Sequence, residues 1–353
     1  MKFICRARRD ADADIMRIIC SFCVVLLHTV AYCGSAGLME ISESRIINVF
    51  CRFGVPVFVF ISGRYMLSQE RELNYYLIKA ARILLIMCLT AAVYAYYEYK
   101  SGEAELCTAA EIVEYIFTSP IHLWYLYTTA ALYILTPVIG SFVKNAGKNI
   151  IVYSICICFI SGSFIYTIIQ LNGFEAVKAI VNKCNIGYKL GFIGCYMLGH
   201  YFYRFDTPRL HRCIIYMLGL LGAAFSVLAD KYLQSSAAGE VLMSFFAPNV
   251  LIQSAAAYLL IQQILRKYRH KCFLLSEAAE GTLFVYLFHI LIMKKLTSRL
   301  DFKIDACGAA LIAAATYIIC LGLALIYRLI MRCAKNLGTI GNKMIKKYLT
   351  NKK

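Results

Sequence analysis

The fold of this chain is decided by its first long apolar stretch, Asp14-Ile-Met-Arg17-Ile-Ile-Cys-Ser-Phe-Cys-Val-Val-Leu-Leu-His28-Thr-Val-Ala-Tyr-Cys33. A stretch of about 20 such residues is long enough to span a bilayer as a helix. Ionisable side chains at membrane depth are costly, so they usually face the protein interior or a water-filled cavity. The spacing places Arg17 and His28 within roughly 20° of the same helix face and about 16 Å apart along its axis. We therefore predict one helix with a fixed cation near one membrane surface and a titratable imidazole deeper in.

The composition extends this prediction to the whole chain. Of 353 residues, 61% are hydrophobic and 16% are charged, and the mean hydropathy is +0.65. These values are typical of a polytopic membrane protein and exclude an ordinary soluble domain. The net charge of +17 comes from basic residues in short segments between apolar runs and near the C-terminus. The positive-inside rule explains that pattern, so we expect membrane lipid and no nucleic acid as a partner.

The cysteines and the motif inventory exclude several other classes. Most of the 16 cysteines lie within apolar runs, and the Cys20–Cys23 pair has neither a redox nor a zinc-ribbon context. We interpret them as small apolar side chains in helix or lipid contacts. The sequence has no H-E-x-x-H, Walker A or G-x-S-x-G motif, so we expect no metal site, nucleotide pump or hydrolase elbow.

Windows of about 20 apolar residues predict an all-α membrane protein with ten transmembrane helices. The predicted spans are 15–33, 45–67, 75–97, 120–143, 149–171, 186–203, 212–229, 243–264, 281–297 and 306–332. We predict three regions: an N-terminal cytoplasmic segment (1–14), a transmembrane domain (15–332) and a basic cytoplasmic tail (333–353). Lysine and arginine concentrate in alternate connections, whereas the loop 98–119 is acidic. Both termini are therefore expected in the cytoplasm and the 98–119 loop outside, in a multi-pass protein of the plasma membrane.

The second span contains several residues that a simple membrane helix would not need. Arg52 lies inside an apolar run and requires a partner or an anionic ligand. Pro56 removes a backbone donor and should bend the helix or free a carbonyl group. Ser62 and Gly63 permit another helix to approach closely. A kinked helix with a purely structural role would show the same pattern.

Two further segments suggest binding surfaces. Lys79 and Arg82 are three residues apart at the cytoplasmic end of the third span, where they could clamp the phosphates of a cofactor. Ordinary positive-inside anchoring is the alternative. His122 and Trp124 open the fourth span at the outer surface, as a sugar-stacking platform or as part of an aromatic belt. His289 is another imidazole within an apolar run. A histidine in such a run either has a functional role or is a structural residue that packs and hydrogen-bonds within the bundle.

Taken together and in order, these segments resemble the acyltransferase-3 family of integral membrane acyltransferases. The matching motifs are Arg17-x10-His28, Val55-Pro-Val-Phe-Val-Phe-Ile-Ser-Gly63, Lys79-x2-Arg82, His122-Leu-Trp-Tyr125, Leu132-Tyr-x3-Pro137 and Tyr286-Leu-Phe-His289. The resemblance implies a ten-helix domain that takes an acyl group, usually acetyl, from cytoplasmic acyl-CoA. It implies transfer of that group to a hydroxyl of an extracytoplasmic glycan or lipid-linked sugar.

The resemblance also assigns roles to individual residues. His28 would be the essential histidine and Arg17 its paired motif residue, with Lys79 and Arg82 facing the acyl-CoA. One position departs from the family pattern, because Arg64 follows Ser62-Gly63 where an apolar or aromatic residue is usual.

The residues themselves leave the mechanism and even the class of protein open. Acyl transfer needs a base for the acceptor hydroxyl and a stabiliser for the developing oxyanion. His28 could be that base or could carry the acyl group transiently, and Arg52 could stabilise an oxyanion or a phosphate. The competing hypothesis is an exporter or transporter of a polysaccharide or small solute, which would also place arginine and histidine at membrane depth.

Overall fold

The computed structural model describes residues 10–104, 108–118, 121–171, 175–184, 186–233, 236–265, 273–300 and 302–350. It is 87% helical, and no strand occurs in this part of the chain. The predicted all-α class is thus confirmed. Residues 1–9 of the predicted N-terminal segment lie outside the described residues.

The described α-helices follow one another with short connections. In chain order they are α1 (Ala11–Ser35), α2 (Ile41–Cys51), α3 (Gly54–Met66), α4 (Leu73–Ser101), α5 (Ala109–Thr118), α6 (Trp124–Asn145), α7 (Lys148–Phe159), α8 (Tyr166–Leu171), α9 (Glu175–Cys184), α10 (Ile186–Arg204), α11 (Arg209–Tyr232), α12 (Ala237–Leu242), α13 (Pro248–Leu265), α14 (Phe273–Thr297) and α15 (Ala306–Thr350). A 3₁₀ turn (Ile121–Leu123) precedes α6, and a π-helical segment (Ile160–Ile165) joins α7 to α8. Helix α15 continues past the predicted boundary between residues 332 and 333.

Eight segments of the described chain are long and apolar enough to cross a membrane. They are Ala11–Ser35, Ile41–Met66, Leu73–Ser101, Trp124–Asn145, Lys148–Leu171, Arg209–Tyr232, Phe273–Thr297 and Ala306–Ala334. Each coincides with one of the ten predicted spans. The other two predicted spans, 186–203 and 243–264, are occupied by α10 and α13, which are helical but do not belong to the eight. The total of ten therefore stays a prediction.

The second span is divided in two, as Pro56 predicts. Helix α2 ends at Cys51, a turn includes Arg52 and Phe53, and α3 begins at Gly54. Pro56 has no backbone N–H to return to the carbonyl group four residues earlier, at Arg52. The break therefore leaves Arg52 at the end of one helix and inside the bundle rather than along a continuous lipid-facing surface.

Helices α3 and α10 pack against each other through two glycines. A Cβ atom at Gly63 would overlap the carbonyl oxygen of Tyr196, and one at Gly199 would overlap that of Phe60. The close approach predicted from Ser62-Gly63 is confirmed, and its partner is α10. Around this crossing lies the largest buried apolar cluster, which also contains residues of α1, α6, α7 and α13.

Ion pairs mark the two ends of the bundle. At the end where α1 and α4 begin, here termed the N-terminal end, the pairs are Arg64–Asp10, Arg64–Asp12, Lys144–Glu70 and Arg328–Glu277. At the opposite end they are Arg45–Asp230 (2.6 Å), Lys294–Glu103 (2.5 Å) and Lys303–Glu40 (3.0 Å). Under the predicted orientation, the N-terminal end is the cytoplasmic one.

Candidate active site

An internal cavity of about 270 Å³ brings together residues from distant parts of the chain. We name it the histidine cavity. Its lining includes Arg17, Ser21 and His28 of α1, Phe58 and Ser62 of α3, His122 of the 3₁₀ turn, Trp124, Thr129 and Tyr133 of α6, Phe245 before α13, and Tyr286 of α14. Five of the candidates predicted from sequence, Arg17, His28, Ser62, His122 and Trp124, therefore share one space.

The first helix supplies the two ends of this cavity. Arg17 and His28 both line it, so the shared helix face predicted from their spacing is present. The rise of an α-helix separates the two positions by about 16 Å along the axis. We call the part of the cavity nearer the N-terminal end of the bundle its inner part and the opposite part its outer part. Because α1 begins at the N-terminal end, Arg17 lies in the inner part and His28 in the outer part.

Three imidazole rings meet at the outer part. The ring centroid of His28 lies 5.1 Å from that of His289 and 6.4 Å from that of His122, and the latter two are 5.6 Å apart. His289 is fully buried and His122 is 7% exposed. Among the described residues, no group of three or more His, Cys, Asp or Glu side chains is arranged to hold a metal ion. Imidazole nitrogens can donate or accept protons, and this is the chemistry that the cluster offers.

Hydrogen bonds to the backbone fix the tautomer of His289. Its Nδ1 lies 2.8 Å from the carbonyl oxygen of Tyr286 and 3.1 Å from that of Val285, so Nδ1 must be the donor. Within the described chain, neither Nε2 of His289 nor Nε2 of His122 has a hydrogen-bond partner. Buried polar atoms are seldom left unpaired. Two unsatisfied ring nitrogens beside His28 thus mark the place where the site can accept protons or hydrogen-bond a polar ligand.

Tyr286 connects the cluster to the cavity wall. Its hydroxyl donates a hydrogen bond to the carbonyl oxygen of His122, which joins α14 to the 3₁₀ turn. Its ring lies 6.1 Å from both His122 and Tyr125. Packing of this kind holds His122 close to His28, although 94 residues separate the two in sequence.

At the inner part, Arg17 has a carboxylate partner. One of its terminal nitrogens donates to Asp14 at 2.7 Å, and Asp14 is only 1% exposed. The guanidinium also lies over the Tyr65 ring at 5.1 Å. Since arginine has five N–H donors, the pair leaves donors for a ligand in the cavity. Sequence reasoning did not assign Asp14 a role, although its i, i+3 spacing from Arg17 is typical of a helical ion pair.

Trp124 and Arg52 belong to the aromatic side of the cavity. Trp124 packs against Phe245 and Phe192, with centroid distances of 5.8 and 6.0 Å. Arg52 stacks on Phe245, with its guanidinium carbon 5.3 Å from the centroid of that ring. It also donates to Asn48 at 2.7 Å and to the carbonyl oxygen of Met243. Arg52 thus lies beside the cavity and supports its lining.

Lys79 and Arg82, predicted as a pair, lie in different surroundings. The ammonium group of Lys79 sits between the rings of Tyr75 (5.1 Å) and Tyr133 (5.4 Å), directly behind the inner wall of the cavity. Arg82 is exposed and lines neither described cavity. The geometry therefore brings Lys79, and not Arg82, close to the other candidates.

The unusual Arg64 has a structural explanation. It is 4% exposed and binds two carboxylates, Asp10 at 2.8 Å and Asp12 at 2.7 Å. Its guanidinium also lies 4.8 Å from the Tyr203 centroid. Arg64 therefore fastens the start of α1 to the end of α3 and α10, and so supports the placement of Arg17.

The fold and the cavity define a multi-pass membrane protein with a histidine-lined internal site. Residues 10–328 match the family model of the acyltransferase-3 acyltransferase domain. No curated protein and no solved structure matches the chain. Because the match covers most of the chain, this protein belongs to the acyltransferase-3 family and is a membrane acyltransferase.

Proposed function

We propose that the protein transfers an acyl group, of which acetyl is the first case to test, from cytoplasmic acyl-CoA to a hydroxyl of an extracytoplasmic glycan or lipid-linked sugar. It would act in the plasma membrane. The family supports acyl transfer in general. The donor, the acceptor and the residue roles are our proposal.

One observation supports the proposal most strongly: His28 lines the same cavity as Arg17 and stands among three imidazoles. A base that removes a proton from a hydroxyl must reach it directly. His28 and His122 both line the cavity, and we assign the base to His28 because the family resemblance makes it the essential histidine. His289 does not line the cavity and contacts His28 from behind.

The proposed reaction is a nucleophilic acyl substitution. His28 takes the proton of the acceptor hydroxyl while that oxygen forms a bond to the thioester carbonyl carbon. The tetrahedral oxyanion needs an N–H donor or a cation, and Arg52, beside the cavity in the same half as His28, is the candidate. The carbon–sulfur bond then breaks, and the thiolate of CoA takes up the proton. In the alternative route, the acyl group is first transferred from CoA to His28 and then from His28 to the acceptor hydroxyl.

The two parts of the cavity suit the two substrates. The inner part holds Arg17 with Lys79 behind it, and a donor that enters from the N-terminal end would meet these cations first. The outer part holds Trp124 and Phe245, whose rings suit stacking on a sugar face. Arg52 beside them would favour an acceptor that carries a negative charge, such as a phosphate-linked sugar.

The test uses the purified full chain in lipid nanodiscs with acetyl-CoA and envelope glycans from the host cell. Mass spectrometry would measure both free CoA and acetylated glycan. We expect the two products to appear together with wild-type protein and to form about 100-fold more slowly with His28→Gln. Acetyl-CoA that stays intact with the wild type, combined with loss of a surface polymer in cells lacking the gene, would instead support an exporter.

A further inference from the structure

A second and larger cavity, of about 700 Å³, opens at the N-terminal end of the bundle. We name it the basic cavity. It lies between the turn that joins α3 to α4, the last turns of α6 and the end of α10, and its polar lining includes Ser68, Arg71, Lys144, His200 and Arg204. Its volume is within the range of roughly 300–1,000 Å³ that is usual for small-molecule and cofactor sites.

The charges of this cavity favour a polyanion. Arg71, Lys144 and Arg204 line it, against one carboxylate, Glu70. Glu70 pairs with Lys144, but the two side chains are 74% and 61% exposed. Exposed ion pairs are weakly held, so an anionic ligand can replace Glu70 as the partner of Lys144. Arg204 is positioned by a hydrogen bond of 2.6 Å to the carbonyl oxygen of Val143.

His200 provides an independent indication of a ligand. It is 5% exposed, it lines the cavity, and its Nε2 has no hydrogen-bond partner among the described residues. Its Nδ1 lies 3.2 Å from the hydroxyl oxygen of Ser68, whose proton is already donated to the carbonyl oxygen of Arg64. Nδ1 must therefore be the donor, which leaves Nε2 for a group in the cavity. Nε2 is then an acceptor, which suits an amino or hydroxyl donor of a ligand rather than a phosphate oxygen.

The basic cavity and the histidine cavity both have a wall formed by α6. Tyr133 lines the histidine cavity, and Thr136 and Pro137 line the basic cavity. Tyr133 and Pro137 are four residues apart, so they lie within about 40° of one helix face and about 6 Å apart along the axis. The ammonium group of Lys79 contacts Tyr133 at this junction. A single long ligand that passes along this face of α6 would reach both cavities.

We propose that the basic cavity binds the phosphorylated nucleotide end of the acyl-CoA donor. The pantetheine arm would then pass Tyr133 and deliver the thioester to the histidine cavity. This inference rests on the proposed function. The histidine cavity, at about 270 Å³, suits the acyl group and a sugar hydroxyl but not an entire acyl-CoA. The nucleotide therefore needs a second compartment, and the three cations match the diphosphate and the ribose phosphate of CoA.

The test variant carries both Arg71→Ala and Lys144→Ala. The matched control carries both Lys148→Ala and Arg209→Ala, which remove two exposed cations outside both cavities. Calorimetry in nanodiscs would measure the binding of CoA and of pantetheine, which lacks the nucleotide. We expect the first variant to bind CoA roughly tenfold more weakly or worse, with pantetheine affinity unchanged. The matched variant should bind both as the wild type does. His200→Ala should also weaken CoA binding and spare pantetheine.

Acyl transfer from acetyl-pantetheine distinguishes a failure of the proposed nucleotide site from a failure of the proposed function. If the Arg71 and Lys144 variant binds CoA as tightly as the wild type and both transfer acetyl groups, the basic cavity is not the nucleotide site and the proposed function stands. If CoA affinity falls but transfer from acetyl-pantetheine persists, both hold. If the wild type transfers acetyl groups from neither donor, the proposed function fails and the assignment of this cavity to acyl-CoA fails with it.

Discussion

Replacement of His28 by glutamine is the most informative change in this protein. Glutamine is close to histidine in size and keeps hydrogen-bonding atoms, but it cannot accept a proton near neutral pH. His28 lines the histidine cavity and is flanked by His122 and His289 at centroid distances of 6.4 and 5.1 Å. The substitution therefore removes the proposed base and leaves the surrounding helices with nearly the same packing.

The expected magnitude follows from the placement of the three rings. General acid–base groups typically contribute about 10²–10⁴-fold to a rate. Loss of such a factor corresponds to about 2.7–5.4 kcal/mol of barrier height. His122 also lines the cavity and its Nε2 has no partner in the described part of the chain. Because His122 can partly replace the missing base, we expect the single variant near the lower bound and His28→Gln with His122→Gln near the upper bound.

The assay measures acetyl transfer to glycan at saturating acetyl-CoA, with His211→Gln as the matched control. His211 is exposed at the start of α11 and lies outside both cavities. Trp124 is the only tryptophan of the chain and lines the histidine cavity, so its fluorescence reports whether the site is still folded. His28→Gln should keep the wild-type spectrum and CoA affinity while the transfer rate falls by about 100-fold.

A wild-type transfer rate in His28→Gln would refute the reasoning. His28 would then be a hydrogen-bonding residue of the helix contact, and the base would have to come from elsewhere in the cavity. An equal loss of transfer in His211→Gln would show that the assay responds to general destabilisation instead of to the site.

Three further predictions concern stability and topology. Arg64→Met should lower the free energy of unfolding by about 2–3 kcal/mol, since it leaves the partly exposed carboxylates of Asp10 and Asp12 without their buried cation. Arg209→Met, at an exposed site, should cost little in thermal unfolding. Gly63→Ala should prevent stable packing of α3 on α10, seen as loss of monodisperse protein on size exclusion; Gly322→Ala, where no atom lies within 4 Å of the new Cβ, should be tolerated and match the wild-type profile. Cysteine labelling in intact cells should reach positions in the loop 98–119, and labelling only after permeabilisation would contradict the predicted orientation.

Much of the architecture could be predicted from local sequence. Membrane helices satisfy their backbone hydrogen bonds within the segment, so apolar length alone predicts where each one lies. Eight predicted spans coincide with helices long enough to cross a membrane, and Pro56 and Gly63 correctly indicated a break and a close helix contact. The shared face of Arg17 and His28 is likewise a property of helical periodicity.

Relations between distant segments depend on tertiary packing and were not visible in the sequence. His28, His122 and His289 each look like an isolated intramembrane histidine, and only the meeting of α1, the 3₁₀ turn and α14 makes them one cluster. Spacing made Lys79 and Arg82 a pair, yet packing turns one toward Tyr133 and leaves the other exposed.

The sequence by itself thus determined the helices, their apolar lengths and the residue types available for chemistry, because these depend on neighbours within a few turns. Only the tertiary structure decided which charges are paired and which cavities exist. Arg64 is paired with Asp10 and Asp12 across more than 50 residues, and the basic cavity combines the α3–α4 turn with α6 and α10. Such arrangements arise from how whole helices pack, and that packing is set by contacts summed over many residues that no local pattern contains.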